Sequence, residues 1–455
     1  MTEGAAGTNQ RWSSRLAFVL AAAGAAIGLG NLWRFPFLAG ENGGGAFVLV
    51  YLAAVALVGF PIMVAELMIG RHGRGNAERA VGRVTTEAGA GRGWHAIGLL
   101  SVFIPFVGIG YYSVVAGWVV DYLLVYLTPG GPGFASGAAA AAHFEAMLAS
   151  PGRLFLLHLA FMAGIAFVVA RGVRAGIERV AKLMMPGLFV LLAALVLFAA
   201  WKGDFARGLN FMFAPDFAAL GWDGVLAALG QAFFSLAVGI GALMTFGAYL
   251  DERTSLPRVA AQICLADTAV ALLAGLAIFP IVFAYGLETN GGEGLVFVAL
   301  PTAFAAMPGG QFVGAAFFLL VFFAAFTTGV ATLEPVVAWL VDRGMTRPRA
   351  ALVSGTAAWL LGAAAALSFN IWSDVHPLAF LPGWETRGIF DILDYSISSL
   401  LLPVNGLLIA LFVGWALPRS LVASELVDAR QLLTAWRWLL RIFVPLAILA
   451  ILVLG

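Results

Sequence analysis

The chain has 455 residues, of which 62% are hydrophobic and only 11% charged, and its formal net charge is +1. A soluble domain of this length needs a far larger polar fraction to cover its surface, so the composition excludes one. Apolar stretches of about 20 residues, long enough to cross a bilayer core, recur along the whole chain and indicate an integral, all-α membrane protein. The single Cys264 excludes an internal disulfide, and the net charge by itself is uninformative.

Eleven spans are predicted, near 15–39, 45–70, 95–127, 153–171, 177–201, 222–250, 257–286, 312–342, 349–369, 389–416 and 434–454. With the N-terminus in the cytoplasm, "RHGRGNAERAVGR", "ARGVRAGIERVAK", "DERTSLPR", "VDRGMTRPR" and "ALPRS" fall inside. About 20 of the 25 Lys and Arg are then cytoplasmic, as the positive-inside rule requires. The opposite loops, such as "GLETNGGEG" and "WETRGIFD", are acidic or neutral. Arg11, Arg15 and "AAAGAA" imitate a signal peptide and its cleavage site, but the apolar run continues past them into "NLWRFPFLAG".

The first span contains "AAAGAAIGLGNLWRFPF" at 21–37, where Gly24, Gly28 and Gly30 lead to Asn31, Arg34 and Pro36. The sixth span repeats the device in "GQAFFSLAVGIGALMTFGAYL", with Gly239 and Gly241 at mid-depth. The second copy comes five helices after the first, and a unit of five helices is odd, so the second copy enters the membrane from the other side. This predicts an inverted repeat, about 12–201 against about 222–416, with an extra helix at about 434–454, in one transmembrane transporter domain over 1–455. Paired, glycine-interrupted spans in corresponding positions point to a transporter's binding site. Unwound backbone is tolerated there only where protein or water satisfies it. The break frees carbonyls for a cation or ammonium and aims half-helix N-termini at an anion. The glycines of one span alone would read as close helix packing; two breaks at repeat-related positions favour the site.

Other residues carry chemistry when taken singly. Asp267, in "QICLADTAVALLAG", lies well inside the seventh span, where a carboxylate is expensive and marks a functional site by default. Its plainer reading is a helix-end acid or one paired with a basic residue. Thr327 and Thr328 alone would bond the preceding helical turn. "ENGGGAF" resembles a phosphate loop superficially, but without a strand or a P-loop Lys it is a turn between two spans.

The segment "WSSRLAFVLAAAGAAIGLGNLWRFPFLAGENGGGAFVLVYL" (12–52) resembles the neurotransmitter:sodium symporters, in particular their bacterial amino-acid transporters. The likeness continues through "FPIMVAELMIGR", "IPFVGIGYYSVVAGW", "GQAFFSLAVGIGA", "FFAAFTTGVATLEP" and "FDILDY". It implies a leucine-transporter-like 5+5 inverted repeat with broken helices 1 and 6, plus an eleventh helix. It also implies sodium-coupled amino-acid import by alternating access.

Two sodium sites follow from the resemblance. The first comprises the Ala26 carbonyl, Asn31, Ser235 and Asp267, completed by the substrate carboxylate. The second comprises the carbonyls of Gly24, Ile27 and Ala324 with the hydroxyls of Thr327 and Thr328, where relatives often have Ser at the position of Thr328. Chloride-independent relatives carry fixed negative charge beside the first site. Some place a Glu at the position of Ala271; here Asp267 supplies the charge, so no chloride is expected.

For the substrate, the resemblance implies that Tyr112 and amides near Leu29 and Gly30 hold a carboxylate. Carbonyls of Ala26, Phe234, Ser235 and Ala237 hold the ammonium. Ala25, Gly108, Tyr112, Phe234, Ile240, Thr328 and Thr332 line the side-chain pocket. Gly108 and Ile240 replace the Val and Phe of a leucine-selective relative and enlarge the pocket, and Ala25 stands where monoamine transporters carry Asp. Neutral hydrophobic or aromatic L-amino acids are therefore expected, with broad selectivity, since a few methylenes discriminate by only about 1–3 kcal/mol.

Arg34 and Asp394 match an outer ion-pair gate, with Phe234 as a lid. Trp12, Tyr249 and Asp342 match an inner gate whose usual Arg is here Asn9, so that Arg11 is expected to pair with Asp342. Glu66 matches a protonated acid that braces the sixth helix, because an unpaired ionised Glu is too costly there. Gly176 and Pro186 resemble a motif at which the fifth helix unwinds to hydrate the second sodium site.

A channel needs a continuous polar path that the Phe, Leu, Ile and Ala around the breaks do not provide. A non-transporting amino-acid receptor on the same fold is the alternative. An enzyme is disfavoured: His72, His95, His143, His158 and His376 are scattered, and no nucleophile–base pair stands out. The expected partners are a small-molecule substrate, the lipid bilayer of the cell inner membrane and possible copies of the same chain, with no nucleic acid.

Overall fold

The computed structural model describes residues 11–128, 134, 136–287 and 294–454. Asn9 and most of the acidic loop "GLETNGGEG" lie outside them. Among the described residues nine unbroken helices are long and apolar enough to cross a membrane. The second to fifth spans are Gly45–Gly73, Arg92–Leu127, Pro151–Ala170 and Val173–Lys202. The seventh to eleventh are Leu256–Ala284, Gly310–Asp342, Arg347–Leu367, Ile389–Ala416 and Leu433–Leu454. The first span is a bent pair, Arg15–Ala26 and Gly30–Glu41, meeting at 54°. The sixth is split into Trp222–Ser235 and Ala242–Gly247.

Both breaks fall where the glycines predict them. In the first span Ser14 caps the N-terminus by accepting from the Ala17 amide at 3.1 Å. The helical ladder then stops at Ile27, whose backbone is extended (φ −71°, ψ 97°). It resumes at Gly30 through a wide turn, Gly30–Arg34, and Pro36 then starts the outer half, where a missing N–H costs nothing. The sixth span comes apart through positive φ at Ala237 (50°), Gly239 (85°) and Gly241 (88°). A Cβ on Gly239 would lie 2.5 Å from the Leu402 carbonyl, and one on Gly241 2.4 Å from Ser101. Only glycine combines that backbone with that proximity.

The freed groups are not left bare, which the membrane interior forbids. The Gly239 amide donates to the Glu66 carboxyl of the second span, a short contact. Its carbonyl accepts from Asn405 of the tenth at 2.7 Å, and Asn405 also donates to Ser101 of the third at 3.1 Å. Gln231 of the sixth span donates to the Gly30 carbonyl at 2.8 Å, joining the two broken helices. All four side chains are fully buried.

The third and eighth spans pack along much of their lengths and form the inner wall around the breaks. The fifth span sends Leu183, Val190, Leu197 and Trp201 outward, as a lipid-facing helix does. The eleventh span is fastened to its neighbours by polar contacts. Arg437 donates to the Gly414 and Leu417 carbonyls at 3.0 and 2.8 Å, Arg441 to Gly414 at 2.7 Å, and Trp436 to Pro61 of the second span at 3.2 Å. Between the second and third spans an amphipathic helix, Ala77–Glu87, is capped by Asn76 and buries Ala80, Val81 and Val84.

Gly241→Ala tests the break. The left-handed backbone alone costs about 1–3 kcal/mol with a side chain present, and the overlap with Ser101 adds to it. Thermal unfolding of the purified protein should show a lower midpoint for Gly241→Ala, while Gly91→Ala, with nothing within 4 Å of the added carbon, leaves it unchanged.

Candidate functional site

The two breaks face each other and close a small chamber at mid-membrane. Its wall takes Ala25, Ala26, Leu29 and Gly30 from the first span, and Gly108 and Tyr112 from the third. Phe234, Ala237 and Ile240 come from the sixth, and Thr328 and Thr332 from the eighth. Of the residues expected around the substrate only Ser235 is absent from this wall, being fully buried behind it. Sequence reasoning missed Ile397 and Leu402 of the tenth span, Tyr111 and Gly28. Ile397 and Leu402 carry no signal that separates them from lipid-facing residues.

The chamber's polar groups are unevenly placed. Tyr112 presents its hydroxyl to the Leu29 backbone and Thr328, and its contact with the Ala325 carbonyl is slack at 3.5 Å. Among the described residues no charged side chain lines the chamber. The Phe234 carbonyl already receives the Ala237 amide at 3.2 Å, so of the four carbonyls expected to hold an ammonium it is the one partly engaged.

Two oxygen clusters flank the chamber. In the first, the Asn31 amide nitrogen lies 3.0 Å from Ser235 Oγ and 2.8 Å from Asp267 Oδ1. Ser235 Oγ lies 2.5 Å from Asp267 Oδ2. Tyr51 of the second span joins them, 3.1 Å from Ser235 Oγ and 3.2 Å from Asp267 Oδ2. Asn31, Tyr51, Ser235 and Asp267 are wholly buried, and among the described residues no basic side chain pairs with Asp267. The plainer reading of Asp267 as a helix-end or ion-paired acid is therefore incorrect: it sits in mid-helix without a cationic partner. Tyr51 was missed, although a hydroxyl within a long apolar run is a visible signal.

In the second cluster Thr328 Oγ1 lies 3.1 Å from the Gly24 carbonyl, 3.2 Å from Ile27 and 3.4 Å from Ala25. Thr327 Oγ1 lies 3.1 Å from the Ala324 carbonyl and 2.9 Å from Phe323, the back-bonding expected of an isolated threonine. One hydroxyl hydrogen cannot serve three carbonyls. The surplus lone pairs in this cluster, and the uncompensated carboxylate in the first, suit hard cations that bind oxygen.

Above the chamber Phe234 separates it from a vestibule of about 340 Å3 that contains Arg34, Tyr111, Phe390 and Asp394. The expected Arg34–Asp394 ion pair is not formed among the described residues. The Arg34 guanidinium instead lies over the Phe234 ring, 4.7 Å from its centre, and Asp394 accepts from Ser398 at 2.9 Å. The cation–π contact and the local hydroxyl satisfy both groups at this separation.

The face bearing the N-terminus is closed by different contacts from those expected. Trp12 donates to the Phe246 carbonyl at 3.1 Å and packs edge-on against Phe18 and Phe246, with Tyr249 beside it. Arg11 does not pair with Asp342. Arg11 is exposed, and the Asp342 carboxylate is occupied by the backbone and side-chain amides of Asn76, at 3.2 and 2.7 Å. A buried ionic link beside it is Glu334–Arg347, with the Tyr249 hydroxyl 3.0 Å from Glu334. Sequence reasoning missed Glu334, an acid inside a span that the argument applied to Asp267 would have singled out. Beside this gate the Glu178 carboxylate holds the Ser13 amide (3.0 Å) and hydroxyl and pairs with Lys182. Glu178 ends a wide turn, Val173–Glu178, that contains Gly176, and Pro186 lies inside the helix that follows.

The sequence matches the sodium:neurotransmitter symporter family over residues 9–132 and 139–453. It is 37% identical to an uncharacterized sodium-dependent transporter, YhdH, of Bacillus subtilis, covering 97% of this chain and 96% of that one. It is 28% identical to the sodium- and chloride-dependent GABA transporter 2 of Mus musculus, over 73% of this chain and 62% of the transporter. The fold superimposes on the crystal structure of MhsT in complex with L-phenylalanine with a TM-score of 0.88 and 41% identity, covering 97% and 98% of the two chains. That match makes the architecture a leucine-transporter-like inverted repeat with broken helices 1 and 6 and an eleventh helix. The protein is thus a multi-pass, sodium-dependent transporter rather than an enzyme, and it belongs to the sodium:neurotransmitter symporter family.

Proposed function

We propose that this transporter imports neutral hydrophobic or aromatic L-amino acids with sodium, by alternating access, from the outer face of the cell inner membrane, with its N-terminus in the cytoplasm. The observation that carries the reading is a chamber without charged side chains among the described residues, flanked by two cation-compatible oxygen clusters. A zwitterion suits it: the Tyr112 hydroxyl and the first-helix amides meet the carboxylate, and carbonyls at the break meet the ammonium. Ala25 offers no acid for an amine lacking its own carboxylate. The crystal structure of MhsT with L-phenylalanine supports an amino-acid ligand of this size. The chamber holds only about 50 Å3, so a bulky side chain enters with a shift of Phe234 towards the vestibule.

In this reading Ala26, Asn31, Ser235 and Asp267 hold one sodium together with the substrate carboxylate. That sharing couples the two, since neither binds well alone. Gly24, Ile27, Ala324, Thr327 and Thr328 hold a second, which ties the inner half of the first helix to the eighth. Loss of that ion frees the Trp12 gate, and the Val173–Glu178 turn with Pro186 is the weak point through which water reaches it. Arg34 and Asp394 close over Phe234 from the other side. Asp267 carries a resident negative charge next to the first sodium, so no chloride is required. The inverted repeat runs over about 12–201 and 222–416.

Uptake into proteoliposomes, measured with a panel of twenty amino acids with and without a sodium gradient, tests the whole assignment. Sodium-driven accumulation of bulky neutral amino acids is expected, and sodium-dependent binding without accumulation would identify a receptor instead. Replacing chloride by gluconate should leave the rate unchanged, and a large fall overturns the role given to Asp267. A Cβ at Gly108 meets only Ile397, at 3.7 Å, so Gly108→Val should fold normally and take volume from the chamber. It should penalise tryptophan about tenfold or more relative to alanine; equal effects on the two refute the pocket assignment. A Cβ at Gly28 would lie 2.7 Å from Thr328 Oγ1. Gly28→Ala should therefore raise the sodium concentration for half-maximal uptake about tenfold, the equivalent of ~1.4 kcal/mol.

A further inference from the structure

Away from the chamber, two cavities meet where the N-terminal end of the third span lies beside the C-terminal end of the eighth. One is an apolar groove of about 590 Å3, lined by Leu99, Phe103 and Phe106 of the third span, Val336 and Trp339 of the eighth, and Val353 of the ninth. The other is a polar recess of about 890 Å3 beneath the Ala77–Glu87 helix, reaching Arg79, Arg83, His95 and Arg343. They adjoin within a single helical turn, since His95 precedes Leu99 and Trp339 precedes Arg343 by four residues each.

The acids of the recess are already engaged. Glu78 accepts from Trp339 at 2.7 Å and from Arg343 at 2.6 Å, and Arg343 lies over the Trp339 ring at 3.7 Å. The bond from Arg343 holds the Glu78 carboxyl below its ordinary range, so the pair is ionised and self-neutralised. Asp342 accepts from Asn76, a neutral amide that leaves its negative charge in place, and Glu87 is taken by His72 at 2.9 Å. Arg79 and Arg83 differ from these. They stand four residues apart on the exposed side of their helix, and among the described residues neither guanidinium has a hydrogen bond or ion pair. Among the described residues Asp342 is the one acid of the recess without a cationic partner, so Arg79 and Arg83 together leave a net positive charge at its mouth.

We propose that this composite groove binds one anionic phospholipid, with its phosphodiester between Arg79 and Arg83 and one acyl chain lying between the third, eighth and ninth spans. The dimensions agree. At the helical rise, Leu99 lies about 6 Å and Phe106 about 16 Å beyond His95, and half a hydrocarbon core is about 15 Å thick. Charge favours an anionic headgroup over a zwitterionic one. The chain's end reaches Phe106 and Val336, close in sequence to Gly108 and Thr332 of the chamber wall, so the lipid braces the two helices that carry it. The site does not depend on the transported substrate, and its test reads lipid retention alone.

Native mass spectrometry of the full-length protein in detergent, titrated with dioleoyl phosphatidylglycerol and with dioleoyl phosphatidylcholine, measures that retention. Wild type should retain one phosphatidylglycerol in preference by about ten- to thirtyfold, the contribution of two arginines near a membrane surface. Arg79→Gln/Arg83→Gln should abolish the preference, while Arg253→Gln/Arg258→Gln, a change at two exposed arginines elsewhere on this face, preserves it. Ala357→Trp, which fills the groove, should remove the retained lipid of either kind. The proposal is overturned if wild type retains both lipids equally, if the Arg79/Arg83 variant keeps its preference, or if the Arg253/Arg258 variant loses it to the same extent.

Discussion

No backbone amide or carbonyl can go unpaired in hydrocarbon, and this structure is organised around the two places where it breaks that rule and repairs it. Interrupting a spanning helix exposes several such groups, each costing several kcal/mol if unmet. The repair comes from distant side chains: Glu66 and Asn405 on Gly239, and Gln231 on Gly30. Each lies on a different helix from the backbone it satisfies, so the breaks also bind the bundle together. The carbonyls that protein leaves under-satisfied, near Gly24 and Ile27, are those that face the second cluster.

From that constraint the division of labour follows. The second, third and tenth spans hold the broken helices in shape, and the eighth supplies hydroxyls where the first has surplus acceptors. Asp267 and Glu334 are two buried acids with opposite surroundings. Asp267 is ringed by hydroxyls and an amide, while Glu334 is ion-paired with Arg347. The difference separates an acid that can receive a cation from one whose charge is already spent on holding a gate shut.

Much of the molecule was legible in the sequence because a bilayer leaves few choices. Nine spans are recovered as unbroken helices within a few residues, and the first and sixth as broken ones, since an apolar run long enough to cross is helical wherever nothing else pairs its backbone. Gly239 and Gly241 announced a break because glycine is the residue that tolerates a left-handed turn under crowding. The chamber wall was legible through motifs in which several of its residues sit together, such as Ala25 to Asn31 and Phe234 to Ile240. What stayed hidden depends on contacts between remote residues. Nothing around Asn405 tells that it reaches Gly239, and Ile397 reads as one more lipid-facing residue. The inner gate was misassigned for the same reason. Asp342 has several possible partners in sequence, and only the folded chain shows Asn76 filling its carboxylate while Arg347 serves Glu334.

The eleventh span looks like an addition to a complete ten-helix core, yet Arg437 and Arg441 grip carbonyls at the end of the tenth helix and Trp436 one in the middle of the second. Those two helices also carry Asn405 and Glu66, the residues that clasp the sixth-helix hinge. The C-terminal helix is therefore joined to the middle of the sixth through two neighbours, each of which it holds by hydrogen bonds.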